Sequence, residues 1–184
     1  MARLHVITYP APALKKPSVE VKKFDDRLRE LVANMFETMY FARGIGLAAA
    51  QVGENINLLV MDVGLPDPLE PENAEKRIPN KICLINPKIV TRAGKILYEE
   101  GCLSCPDLLV EVERDRNIVV VACNTKGQVQ QHALNDVEAV CAQHEMDHLK
   151  GILLTDRISQ LKREMYGKQR IRERKNAQDK SALE

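Results

Sequence analysis

The sequence predicts an α+β domain of mainly antiparallel strands packed around a central helix, with an N-terminal and a C-terminal helix. Three observations carry this. A helical rhythm at residues 25–42 is followed by a block of short β-patterned runs between Ile56 and His132. A second helical rhythm begins near Asn135, so helices and strands are segregated and do not alternate as β-α units. The chain of 184 residues suits one domain with a real core.

Leu28, Leu31, Val32, Met35, Phe36 and Met39 follow the i, i+3, i+4 pattern of an amphipathic helix, with Asp25, Asp26, Arg29, Glu30 and Glu37 on other faces. Arg43-Gly44 is the expected stop, with glycine as a left-handed cap. Ile56–Val63 reads as a strand, and the prolines at 66, 68 and 71 make the following stretch a loop. Further strands are expected at 82–86, 89–92, 110–114 and 117–123. Asn124-Thr125-Lys126-Gly127 then turns the chain into 128–132. Asn135 with Glu138 has the form of a capping box for the central helix, which ends at Gly151. From Ser159 onward the chain reads as an exposed, charged helix fraying into a tail. Residues 1–160 are expected to form a single catalytic domain, with 161–184 a charged helix of that same domain.

The formal net charge is +1 and the pI about 7.6, which argues against a general nucleic-acid or acidic-membrane binder. No apolar run reaches the roughly 18 residues of a membrane span. The start, Met1 to Thr8, resembles neither a signal peptide nor a transit segment, so a cytoplasmic location is expected. Trp is absent and aromatics are few, so the core must be aliphatic. The five cysteines are odd in number and irregularly spaced, which suits a reducing compartment. Cys102 and Cys105 form a C-x-x-C. No second pair exists to complete a four-cysteine zinc site, and a redox dithiol would need Pro106 to open a helix.

His144-Glu145-Met146-Asp147-His148 puts two imidazoles on one helix face with a carboxylate directly after the first. Both histidines lie on the apolar stripe with Val137, Val140 and Cys141, and Gln143 and Asp147 supply polar neighbours. Burying such a group without a cation would be costly, so the central helix is read as metal-binding, with Glu145 placed to move the proton of an activated water. Leu154 stands where one protease class has a third histidine, and Glu164 and Glu173 sit in a charged, solvated segment. That leaves Cys102 as third ligand, in a set that keeps a fourth position open for chemistry. Residues 44–51 contain a G-x-G-x-x-A, but they follow a helix and leave no room for a crossover helix, against a dinucleotide site. The small residues instead imply close backbone packing, with the Gln51 amide available to an oxyanion.

Together, G-I-G-L-A-A-A-Q at 44–51, E-G-C-L-S at 100–104 and Q-H-E-M-D-H at 143–148 resemble the three signature motifs of the peptide deformylases, in order and rough spacing. The resemblance implies removal of the formyl group from N-formylmethionyl peptides of new polypeptides, with release of formate. It implies Cys102, His144 and His148 as ligands of one divalent metal, natively Fe²⁺, with Zn²⁺, Ni²⁺ or Co²⁺ as replacements. Glu145 would be the general base and acid, and Gln51 and the Leu103 N–H the oxyanion donors. Val137, Val140 and Cys141 would line the methionine pocket, while Ile45, Gly46, Glu100 and Gly101 would pair with an extended peptide. Two departures stand out: Leu109 replaces an arginine common in bacterial members, and the stretch from Gly64 to Pro79 is longer and richer in proline.

The other readings are a zinc peptidase using Glu164 or another acid, and a non-catalytic metal-binding homologue. No membrane contact is expected, and the chain is expected to be a monomer. Between residues 162 and 184 basic residues outnumber acidic ones eight to four, and the resemblance suggests that this helix contacts the ribosome.

Overall fold

The computed structural model describes residues 2–66 and 77–181. Helix α1 spans Asp26–Phe41, and Asp25 is its N-cap, not part of its polar face. The Asp25 carboxylate accepts from the Leu28 N–H at 3.1 Å and satisfies a first-turn donor. Past the helix end the left-handed residue is Arg43, with φ of 56°, and not Gly44. Gly44 answers to space: a Cβ there would stand 2.8 Å from Leu103 Cδ1.

Five strands form one antiparallel sheet: β1 (Gly46–Ala48), β2 (Leu58–Met61), β5 (Ile82–Cys102), β6 (Cys105–Cys123) and β7 (Val129–Asn135), in the order β1-β2-β5-β6-β7. Strand β1 was not expected, because three residues are too few to show a period. The expected strands at 82–86 and 89–92 are one strand, β5, and those at 110–114 and 117–123 are one strand, β6. The break after Asn86, whose φ is 53°, is a register shift, and a second shift falls between Ile89 and Thr91; at the expected break at 115–116, β6 pairs with β5 in unbroken register. The proline-rich stretch is not all loop: β3 (Leu65–Pro66) pairs with β4 (Arg77–Ile78). Residues 67–76, the rest of that stretch, lie outside the described residues.

Every residue of β2 is buried, and the faces divide by the two-residue period. Leu58 and Val60 join the cluster beneath α1, with Met35, Met39, Leu47 and Ile85. Leu59 and Met61 join the opposite cluster, with Leu84, Val120 and Met146. That second cluster holds helix α2 (Asp136–Leu149), so the central helix is covered on nearly every side. Asn135 is its N-cap residue but makes no side-chain cap bond, and Glu138 instead accepts from Asn80 Nδ2 at 3.1 Å. The expected capping box is therefore absent. Glycine at 151, φ of 73°, follows the helix as expected.

Helix α3 (Gln160–Ser181) is continuous over most of the charged segment, and residues 182–184 of the expected tail lie outside the described residues. Tyr166 Oη and Arg170 Nη1 donate to Pro106 O at 2.8 and 3.1 Å, and Tyr9 stacks on Tyr166 with centroids 5.7 Å apart. Among the described residues no helix is long and apolar enough to cross a membrane.

Candidate metal centre and active site

The i, i+4 spacing places His144 and His148 on one face of α2, with ring centroids 5.0 Å apart. Cys102 reaches them from the last position of β5. It is paired in register with Cys105, so that Leu103-Ser104 closes a tight hairpin. Pro106 lies within β6 and opens no helix, which corrects the structural premise of the C-x-x-C redox motif. One ligand atom each from Cys102, His144 and His148 lies within 4.8 Å of the others, and Cys102 Sγ is 3.2 Å from His148 Nε2. Among the described residues this is the one such group. Glu164 is exposed on α3 and held by Gln160, away from it.

Behind His144 stands a buried ion-pair network. His144 Nδ1 is 2.7 Å from Glu100 Oε2, which leaves Nε2 for a metal. The Arg114 guanidinium grips both Glu100 oxygens, Nε at 2.7 Å and Nη2 at 2.9 Å, and extends Nη1 to Asp147 Oδ2 at 2.6 Å. Burial works against charge on His144, but the Glu100 hydrogen bond and the nearby Glu145 charge outweigh it and raise its pKa. Burial, with the charges of His144 and Arg114, holds His148 well below its usual value, as a neutral ligand should be. The neighbouring Cys105 thiol, burial and Glu145 all hold the Cys102 thiol up. A buried thiol among carboxylates becomes a stable thiolate beside a cation, so this donor set fits a divalent metal.

Glu145 is 5% exposed, its Oε2 has no hydrogen-bond partner among the described residues, and burial pushes its pKa up to about 7. Strand β1 passes directly over it: a Cβ on Gly46 would be 2.5 Å from Glu145 Oε1 and 2.8 Å from Cys141 Sγ. Only glycine leaves both side chains in place. Gln51 is pinned by Ala48 N–H donating to its Oε1 at 2.8 Å, while its Nε2 donates to Ser104 Oγ at 3.2 Å and approaches Cys102 Sγ at 3.7 Å.

A cavity of about 410 Å³ opens onto these groups. Of the residues singled out in sequence, Ile45, Gly46, Gln51, Glu100, Gly101, Cys102, Leu103, Val137, Val140, Cys141, His144 and Glu145 all line it, and His148 lies behind them. The Glu100 side chain is consumed by His144 and Arg114, so the backbone is what it offers a peptide. Gln143 turns away from the metal group to staple α2 to β6 through the Asp115 N–H and C=O. Leu109 is 64% exposed, with Cδ2 3.4 Å from a Cβ position on Gly101. Gly44, which opens the 44–51 motif, also lines the cavity, as do Arg43, Tyr98 and Glu99, which were not anticipated. Nor was Arg114, although a signal existed: Val110, Val112 and Arg114 share the inward face of β6, and a charged inward residue needs a partner.

A family model for polypeptide deformylase matches residues 3–164. The chain belongs to that family. It is 42% identical to the peptide deformylase of Novosphingobium aromaticivorans over 193 aligned positions, covering 96% of this chain and all of that one. It is 43% identical to the Zymomonas mobilis peptide deformylase, covering 97% and 99%. Among solved structures, the peptide deformylase of Ehrlichia chaffeensis superposes with a TM-score of 0.84 at 35% identity, covering 96% of this chain and 99% of that one. All three deformylase motifs fall inside the matched span, and the chemistry-bearing residues of each converge on one cavity.

Proposed function

We propose that this metal-dependent hydrolase removes the formyl group from N-formylmethionyl peptides with Glu145 as the proton carrier. The observation that carries this reading is the convergence of Cys102, His144 and His148 beside a buried Glu145 whose Oε2 is free to take a proton. A divalent ion on Cys102 Sγ and the two histidines would lower the pKa of water from about 15.7 toward about 7 and polarise the formyl carbonyl. Glu145, with a pKa of about 7, accepts the water proton and returns it to the leaving amine. Gln51 Nε2 and the Leu103 N–H stabilise the oxyanion, each contributing about 3 kcal/mol when well aimed. Strand β1 is the edge of the sheet, so a substrate backbone can add alongside Ile45 and Gly46 and across from Glu100-Gly101. Val137, Val140 and Cys141 form the apolar wall for the methionine side chain.

The native ion is taken as Fe²⁺, with Zn²⁺, Ni²⁺ or Co²⁺ as replacements, since a mixed imidazole–thiolate set accepts all four. Metal analysis after anaerobic purification decides it. The five free cysteines support a reducing, cytoplasmic setting. Residues 1–160 act as one monomeric catalytic domain, and the charged helix of 161–184 belongs to that same domain. Lys168, Arg172 and Lys175 lie exposed at helical spacing on α3, which supports a ribosome contact there. Substituting all three with Glu should abolish ribosome co-sedimentation while the activity on a short peptide persists, and unchanged sedimentation refutes the contact.

Glu145→Gln should retain the metal and lose turnover by about 10²–10⁴-fold on a formyl-Met peptide. Full activity in that variant sinks the assignment. Cleavage of unformylated peptides by the wild-type chain would favour a peptidase instead.

A further inference from the structure

The deformylase reading uses Cys102 and leaves the other member of the C-x-x-C without a role. Cys102 closes β5 and Cys105 opens β6 as a registered cross-strand pair. Opposed residues of an antiparallel pair project to one side with Cα atoms about 4.5–5.5 Å apart, inside the range of about 4.4–6.8 Å that a disulfide spans. The two thiols differ in access: Cys102 lines the active-site cavity, whereas Cys105 is 1% exposed and shielded behind it. The remaining cysteine of the cavity, Cys141, directs its thiol to Ile45 O at 3.5 Å.

We propose that a small hydroperoxide entering the cavity converts Cys102 and Cys105 into a reversible disulfide that shuts the site to metal. The metal half of this statement rests on the reading of Cys102 as a ligand. In the first step the Cys102 thiolate sulfur attacks a peroxide oxygen and the O–O bond breaks. Cys102 becomes a sulfenic acid, and the departing hydroxide takes the proton that the Cys102 thiol gave up and leaves as water. Cys105 sulfur then attacks the Cys102 sulfur and the S–O bond breaks. The hydroxide leaves with the Cys105 proton as a second water. Two thiols and one hydrogen peroxide thus give one disulfide and two waters. Neither sulfur retains a thiolate charge for a divalent ion, and capture by Cys105 stops Cys102 short of the irreversible sulfinic and sulfonic acids. A dithiol reductant restores both thiols.

The test titrates the full chain, metal-loaded and metal-stripped, with hydrogen peroxide under anaerobic conditions. Alkylation in denaturant, intact mass, peptide mapping and a chromophoric chelator then read out thiols and released metal. The free-thiol count should fall from five to three, the protein should lose two hydrogens of mass, and Cys102 and Cys105 should map to one linked peptide. The metal should be released, and dithiothreitol should reverse every change. Cys105→Ala should bind metal and turn over normally before oxidation, then gain oxygen on Cys102 that dithiothreitol does not remove. Oxygen on wild-type Cys102 without a link, or a link from Cys102 to Cys141, overturns the proposal. A Cys102–Cys105 link with full metal retention overturns the ligand half and leaves the thiol chemistry standing.

Discussion

Gly46 and Glu100 show how single residues from two strands set neighbouring side chains of α2. Gly46 is required by the space between β1 and Glu145, so Gly46→Ala should cost about 1–3 kcal/mol through overpacking. It should also displace Glu145, and a drop in both Tm and kcat checks this; an unchanged kcat would mean that Glu145 tolerates the shift. Glu100 holds the ring of His144 and is held in turn by Arg114. Glu100→Gln should weaken metal affinity by about 10–100-fold, whereas Glu111→Gln, on the exposed face of β6, should not. Competition with a chelator measures both. The roles of these residues differed in legibility. The histidines and Glu145 declare themselves by spacing along one helix. The bond from Glu100 to His144 joins residues 44 positions apart and leaves no local signal.

At the scale of elements, periodic segments were read well and aperiodic ones were not. The α1 stripe follows from side-chain period alone, whereas α2, read from period as burying one stripe, is covered on nearly every side by the sheet. The far ends of β5 and β6 do not follow from period at all. Residues 91–99 of β5 are mostly exposed and include Gly94 at φ of 64°, and they are strand because β6 pairs with them. Capping gives a direct comparison, since the expected cap Asn135 makes no cap bond while Asp25, read as a polar-face residue, makes one. Asp25→Ala should destabilise the chain by about 1 kcal/mol, because its carboxylate accepts from Leu28 N. Asn135→Ala should cost less than half of that, since its side chain caps nothing. Denaturant midpoints of the two variants, at equal m-values, decide the matter.

For the whole molecule, the decisive arrangement is a sheet covered on both faces, with α1 on one and the metal-bearing α2 on the other. Helix α3 stands outside that sandwich and is tied to it through Pro106 and Thr8. Deleting residues from Gln160 onward should therefore lower Tm by roughly 5–10 °C, at about 1 kcal/mol for each lost hydrogen bond. The metal-to-protein ratio should stay the same, and loss of metal on truncation would show that α3 supports the site itself. The sequence by itself determined the α+β class, the helix that carries the histidines and the three motifs, because each is a local pattern of period or residue type. Only the tertiary structure decided that Cys102 arrives on a hairpin tip, that Arg114 and Glu100 lock His144, and that Gly46 clears space for Glu145. Those are contacts between residues far apart in the chain, and the free energy that selects them comes from joint burial and charge pairing, which no window of sequence contains.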